Sequence, residues 1–160
     1  MVPAALGFGV AAAAVIALHH RIEPLKWLRA RFLIAYVSAG CADTRGLVEQ
    51  AKRRGFAGEL IWIPVTVEPS AEDLSMCTAA LARIRKAEGP PWWATLPDGY
   101  LCTRMFAESY RHVTERHDGR VPVVDRPGEA GDLIAGARGA EDAVDHLEKF
   151  AARWSNGADP

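Results

Sequence analysis

The chain has 160 residues, of which 49% are hydrophobic and 24% charged, and its formal net charge at pH 7 is −1. This length allows one compact core and is too short for two ordinary domains. The charge is balanced and the main domain has no basic stripe, so nucleic acid is not an expected partner. The three cysteines have no short spacing, which argues against a disulfide framework and fits a reducing cytosol.

The N-terminal segment is the most distinctive part of the sequence. Residues 2–18 carry no charged or strongly polar side chain, and a basic juxtamembrane segment at residues 21–31 follows. This order predicts a single-pass membrane anchor at residues 1–20, with lipid contacts from residues 2–18 and the C-terminal domain in the cytoplasm. These 17 residues span about 25 Å, whereas a bilayer core is about 30 Å thick, so the predicted insertion is marginal.

Two other interpretations of this segment compete with the anchor. A cleaved signal peptide is disfavoured, because Met1 is followed directly by apolar residues and residues 16–20 form a poor cleavage site. A buried helix would usually show a polar stripe, which residues 2–18 lack. Charge favours the anchor: four basic residues against Glu23 give residues 1–32 a net charge of about +3, and the remaining 15 basic and 19 acidic residues give about −4.

Residues 32–155 are predicted to form one α/β domain, and residues 156–160 a disordered tail. A buried strand at residues 31–38 precedes a helix capped by Asp43, and a second strand covers residues 59–67. Ser70 and Asp73 form a capping box at the start of the next helix. The later elements are predicted as a strand at 92–96, a helix at 101–113, a strand at 120–124, an edge strand at 132–135 and a helix at 140–154.

Strands that alternate with helices predict a single Rossmann- or flavodoxin-like, three-layer α/β domain with a mostly parallel sheet, preceded by the transmembrane helix. Ligands on such sheets bind beyond the carboxyl ends of the strands. This rule selects four loops as candidate binding regions: residues 38–43, 67–70, 96–99 and 125–129.

The first loop is the best-placed of these candidates. It joins a strand to a helix N-terminus, where free backbone amides and the helix dipole favour an anion. Cys41 is a candidate nucleophile there, but Arg45 follows it one residue too early for the phosphate loop of a thiol phosphatase. A small buried cysteine beside a capping aspartate is the favoured interpretation. The candidate ligand-binding residues of this loop are Ser38, Gly40, Cys41, Asp43 and Arg45.

One helix face gathers Glu108, His112 and Glu115 at i, i+4 and i+7. Such groups can hold a metal or act as an acid/base pair. However, His117 is predicted to point elsewhere, and His146 is the only obvious donor on another helix. A solvated charged face is therefore favoured, and neither a metal nor a cofactor is predicted.

Residues 31–125 resemble the Toll/interleukin-1 receptor (TIR) domain family. Residues 32–38 (FLIAYVS), followed by Asp43, are similar to the family's opening strand, turn and helix, and residues 96–108 resemble a later strand and helix start. Met105-Phe106 departs from the family's Trp-Cys pair. Catalytically active members cleave the nicotinamide–ribose bond of NAD, so the resemblance implies a nucleotide hydrolase with Glu108 as the catalytic carboxylate and Ser38 or the Trp92 region lining its pocket.

These observations leave functions of different classes open. The first is a membrane-tethered enzyme that binds and cleaves a nucleotide such as NAD, which requires Glu108 to face a pocket together with the first loop. The second is a non-catalytic, membrane-anchored module that binds a protein partner or self-associates. A third treats the chain as a small subunit of a larger membrane complex.

Overall fold

The computed structural model describes the backbone of residues 3–155 and the side chains of residues 10–152. The tail expected at residues 156–160 therefore lies outside the described residues. The helices are α1 (Pro3–His19), α2 (Pro24–Arg29), α3 (Ala42–Arg53), α4 (Ala71–Lys86), α5 (Asp98–His117) and α6 (Ala140–Ser155). The strands are β1 (Leu33–Val37), β2 (Leu60–Pro64), β3 (Val123–Arg126) and β4 (Glu129–Asp132), and 3-10 turns cover Ala57–Glu59 and Trp92–Thr95.

The four strands form a mixed sheet in the order β2-β1-β3-β4. β1 and β2 are parallel, whereas β3 is antiparallel to both β1 and β4. The prediction of a mostly parallel, Rossmann- or flavodoxin-like sheet is therefore wrong. The stretch predicted as a third strand, residues 92–96, begins with a 3-10 turn, so two long helices rather than one connect β2 to β3. α5, the second of these helices, returns the chain to the opposite end of the sheet. β3 therefore runs antiparallel to β1.

Helices cover both faces of the sheet. One apolar core lies between the sheet and α2, α4 and α5, and a second lies between the sheet and α3 and α6. Successive residues of β1 alternate between them, because Ile34 and Tyr36 belong to the first core while Leu33 and Ala35 belong to the second. A strand buried on both faces explains the continuous apolar run in this part of the sequence.

The predicted helix starts differ in outcome. At α4 the capping box is confirmed, because the Asp73 amide donates to Ser70 Oγ (3.2 Å) and the Ser70 amide donates to Asp73 Oδ2 (2.9 Å). At α3 the prediction of Asp43 as the cap is wrong, because Cys41 occupies that position and Asp43 lies inside the first turn. The loop before α3 is instead fastened by the Ser38 amide, which donates to Thr44 Oγ1 (3.3 Å).

A disulfide joins Cys77 on α4 to Cys102 on α5. Both residues face the first core and are 0% and 2% exposed, and their Cα atoms are 5.9 Å apart. The expectation of cysteines without a disulfide is therefore wrong. Wide spacing in the sequence concealed the pair, since two adjacent helices bring the residues together. Cys41 is a free, half-buried thiol.

The membrane anchor expected at residues 1–20 is also wrong. Among residues 3–155, no helix combines the length and the apolar character needed to cross a membrane. α1 has 17 residues, which corresponds to about 25 Å of helix. The lipid contacts and the single-pass localisation expected with the anchor are therefore not supported. The competing interpretation of a buried helix is contradicted for residues 10–18, whose described side chains are all exposed.

Candidate metal centre

α5 carries four buried polar side chains, Glu108, Ser109, His112 and His117, and its other buried residues are apolar. The helix ends at His117 because Asp118 adopts a left-handed conformation (φ 52°) and Gly119 follows with φ 73°. The Gly119 amide donates to the Val113 carbonyl (3.0 Å), six residues earlier, which satisfies one of the free carbonyls at the helix end. This end fixes His117 where the chain turns back towards β3.

Asp125 of β3 lies between the two histidines. Its carboxylate is 0% exposed, with Oδ2 2.6 Å from His112 Nε2 and Oδ1 2.8 Å from His117 Nε2. Helix positions five apart differ by about 140° around the axis, so the two imidazoles reach the carboxylate from different sides. The histidines are themselves only 7% and 3% exposed, and the ligand atoms of the three residues all lie within 4.8 Å of one another.

Two further polar groups flank Asp125. Tyr36 of β1 follows the Asp125 partner Ile34 by two residues, so its side chain lies on the same face of the sheet. Its ring centroid is 5.1 Å from that of His112. Arg29, the last residue of α2, places Nε 3.8 Å from Asp125 Oδ2, which is too far for a hydrogen bond. Among the described residues, neither the Tyr36 hydroxyl nor Arg29 Nε has a hydrogen-bond partner, although both atoms are buried.

Electrostatics keeps the Tyr36 hydroxyl protonated. Burial, and after it the negative charge of Asp125, raise the pKa of Tyr36 well above its ordinary value. The hydroxyl is therefore available as a hydrogen-bond donor beside a carboxylate whose two oxygens already face histidine nitrogens.

Two imidazoles and one carboxylate are a ligand set for a divalent first-row transition metal. Ion–ligand bonds of about 2.0–2.1 Å place tetrahedral ligands about 3.3 Å apart. The two nitrogen–oxygen separations, 2.6 and 2.8 Å, therefore need to open by less than about 1 Å to admit an ion. The alternative is a hydrogen-bonded His–Asp–His network, which also compensates the buried carboxylate. In either arrangement the Tyr36 hydroxyl and Arg29 Nε have no hydrogen-bond partner among the described residues.

Glu108, the residue expected to be catalytic, performs a structural task one turn before His112. Its carboxylate accepts hydrogen bonds from the backbone amides of Leu25 (3.4 Å) and Lys26 (3.1 Å), at the start of α2. Burial raises the pKa of Glu108 to about 7, in opposition to these hydrogen bonds, which lower it. Glu108 also lines a cavity of about 230 Å³, whose described lining is His20, Glu23, Arg104, Ala107, Glu108 and Arg111.

The first loop lies beyond β1 and does not share this cavity. Asp43 lines a separate cavity of about 650 Å³, formed with residues 119–123 and with residues between 132 and 143. Cys41 and Ser38 are half-buried, whereas Gly40 and Arg45 are exposed. Trp92 lies in a 3-10 turn and is 58% exposed. The described cavities therefore do not unite the predicted ligand-binding residues with Glu108.

Sequence reasoning missed most of the centre. His112 was expected on a solvated face and His117 was expected to point elsewhere. Both expectations are wrong, because both imidazoles are buried and both reach Asp125. Glu115 and His146, weighed as their companions, are exposed. The available signal was polar residues in apolar strands: Tyr36 follows Leu-Ile-Ala, and Asp125 follows Val-Val. A polar residue at a core-facing strand position needs a buried partner.

Comparisons with protein-family models, curated proteins and solved structures find no match to this chain. The resemblance to the TIR family thus stays a prediction that rests on the residues that suggested it. The geometry of the buried His112, His117 and Asp125 side chains is accordingly the firmest basis for a function.

Proposed function

We propose that the protein binds one divalent first-row transition-metal ion, of the zinc or ferrous class, through His112, His117 and Asp125. The observation that carries the proposal is the convergence of two imidazole nitrogens on a carboxylate that is 0% exposed, with all three ligand atoms inside 4.8 Å. Imidazole nitrogen and carboxylate oxygen are the ligands that such ions take, and neutral imidazoles with one carboxylate partly compensate the double charge.

The ligands come from two different elements, which gives the ion a structural effect. His112 and His117 belong to α5, whereas Asp125 belongs to β3. An ion held by all three ties the C-terminal end of α5 to the sheet and closes the connection formed by residues 118–122. Three protein ligands leave at least one position of a four-coordinate ion for another group.

Metal titration of the full chain tests this proposal. Metal-free protein, prepared with a chelator, is titrated with Zn²⁺ in a calorimeter, and one equivalent is expected to bind. At a free ion concentration 100 times Kd, binding to the folded state adds about 2.7 kcal/mol to the free energy of unfolding. The melting temperature measured beside the titration is therefore expected to rise.

Matched histidine variants locate the ion. His117→Asn removes a ligand and is expected to abolish one-equivalent binding, whereas His146→Asn removes an exposed imidazole on α6 and is expected to leave it unchanged. Asp125→Asn keeps the side-chain volume and is expected to weaken binding strongly. Absence of binding by the wild type, or loss of binding in His146→Asn alone, contradicts the proposal.

Two functions expected from the sequence stay predictions: cleavage of a nucleotide such as NAD with Glu108 as the catalytic carboxylate, and recruitment of a protein partner. Release of nicotinamide from NAD by the wild type and by Glu108→Ala tests the first. Turnover that persists in Glu108→Ala would remove this residue from the reaction.

A further inference from the structure

Two buried atoms beside Asp125, the Tyr36 hydroxyl and Arg29 Nε, have no hydrogen-bond partner among the described residues, and both are donors. A guanidinium has N–H donors and no acceptor, and a tyrosine hydroxyl can donate. The nearest carboxylate, Asp125, already faces His112 Nε2 and His117 Nε2 with its two oxygens. Buried polar groups almost always have a partner, so the group that completes this centre is an acceptor.

Charge indicates what kind of acceptor completes the centre. A divalent ion, the Asp125 carboxylate and the Arg29 guanidinium leave an excess of about two positive charges when the histidines are neutral. Asp125, Tyr36 and both histidines are 0–7% exposed, so water screens this excess poorly. Buried charges persist when they are paired, and an anionic acceptor reduces the excess while satisfying the donors.

We propose that the ion in this centre binds a small oxyanion, a phosphate or carboxylate group, which also accepts hydrogen bonds from Arg29 and Tyr36. The proposal rests on the metal site proposed above. The Arg29 guanidinium has the planar fork of donors that suits both groups. The Arg29 side chain is 27% exposed, so the centre contacts solvent at this residue.

The enclosure of the centre limits the size of the anion. The Arg29 carbonyl accepts a hydrogen bond from the Gly128 amide (2.6 Å), which fastens the end of α2 to the turn between β3 and β4. The Arg29 side chain, rather than this backbone, is therefore the part that can move aside. A terminal phosphate or carboxylate group would enter beside this side chain, with the rest of a larger molecule outside.

Cobalt provides the test, because the visible absorption of Co²⁺ responds to its ligands. The full chain, in excess over Co²⁺, is titrated with inorganic phosphate and, separately, with acetate. A saturable change in the Co²⁺ spectrum is expected for at least one of them, and the tighter of the two identifies the preferred class. Arg29→Gln is expected to weaken anion binding tenfold or more while Co²⁺ still binds, and Tyr36→Phe several-fold.

Arg45→Gln is the matched control, since Arg45 is an exposed arginine on α3 near the first loop. Unchanged anion binding in this variant is expected, whereas a loss there, with Arg29→Gln unaffected, would place the anion at the first loop and overturn the inference. A Co²⁺ spectrum that neither anion alters overturns it while leaving the metal proposal intact. A wild-type chain that binds no Co²⁺ overturns both.

Discussion

Tyr36 brings a hydroxyl into a core where no described residue accepts its hydrogen bond. An unsatisfied buried polar group costs about 1–3 kcal/mol, and removing it without changing the surrounding shape recovers part of that cost. In metal-free protein, Tyr36→Phe is therefore expected to raise the free energy of unfolding by about 1 kcal/mol. Urea denaturation followed by circular dichroism measures the change.

Tyr110→Phe is the control for this substitution, because Tyr110 is 50% exposed and belongs to the same domain. Its effect is expected to stay within about 0.5 kcal/mol. A clear loss of stability in Tyr36→Phe would mean that the hydroxyl donates to a group in the metal-free core and is not an unsatisfied donor.

Glu108 makes stability depend on pH. Its pKa is raised from the ordinary 4.5 to about 7, mainly by burial, so the folded state binds this proton more tightly than the unfolded state. The stabilising contribution is complete below about pH 4.5 and is lost as the pH rises through about 7. The difference corresponds to about 3–4 kcal/mol, at about 1.36 kcal/mol per pKa unit.

Glu108→Gln removes this ionisation and is expected to flatten the decline in unfolding free energy between pH 5 and pH 8. Measurements of urea denaturation at both pH values compare this variant with the wild type and with Glu115→Gln, an exposed carboxylate on the same helix. The prediction is wrong if the wild type and Glu108→Gln lose stability equally, because the pH dependence then comes from other groups.

At the scale of elements, the disulfide between Cys77 and Cys102 fastens α4 to α5. The two cysteines are 25 residues apart in the chain, and closing a loop of that length stabilises the folded state by about 3.5 kcal/mol in the chain-entropy description. Replacing both cysteines by alanine is expected to reduce the free energy of unfolding by roughly that amount. Cys41→Ala, which removes the free thiol, is expected to change it by less than about 1 kcal/mol.

A reducing agent provides an independent readout of the same link. In urea denaturation, reductant is expected to shift the wild-type midpoint towards that of the double variant and to leave the double variant itself unchanged. Equal stability of the wild type and the double variant would show that the loop contributes nothing.

Elements governed by local signals were predictable from the sequence. β1 is a continuous apolar run, and the Ser70–Asp73 box marks the start of α4, so both were found. Residues 92–96 were wrongly predicted as a strand because tryptophan favours strands. In the structure a 3-10 turn begins directly after Pro91. The direction of β3 was not predictable, because it depends on how many helices cross the sheet before the strand begins.

The centre was only partly predictable, for a similar reason. Helical spacing correctly gathered Glu108 and His112 on one face, but it could not show that the strand beside α5 inserts Asp125 between His112 and His117. A five-residue step separates two side chains on an isolated helix. The imidazoles of His112 and His117 converge only because both contact Asp125, which belongs to β3.

At the scale of the whole molecule, the sheet separates two cores that perform different tasks. The core under α2, α4 and α5 holds the disulfide and the Tyr36 and Asp125 side chains, whereas the core under α3 and α6 is apolar. The cavity of about 650 Å³ is lined by the starts of α3 and α6 and by residues 119–123, which connect α5 to β3. An ion at His117 and Asp125 thus fixes both ends of one wall of this cavity.

The described side chains of α1 belong to neither core. Among the described side chains of residues 10–18, Val10, Val15, Ile16 and Leu18 are 47–70% exposed. His19, at the end of the helix, contacts Tyr100 and Arg104 of α5. Because the described side chains of residues 10–18 bury little area, deletion of residues 1–18 is expected to change the melting temperature by no more than about 2 °C.

Deletion of residues 1–30 provides the contrast, because it removes Leu25 and Leu28, which are 1% and 0% exposed, and separates Glu108 from the amides of α2. Each buried leucine contributes about 2–5 kcal/mol, so this deletion is expected to lower the melting temperature by 10 °C or more, or to prevent folding. Differential scanning calorimetry of the three chains decides the matter. If the shorter deletion is already as damaging as the longer one, α1 packs on the domain, and the boundary of the folded unit lies before residue 19 rather than at α2.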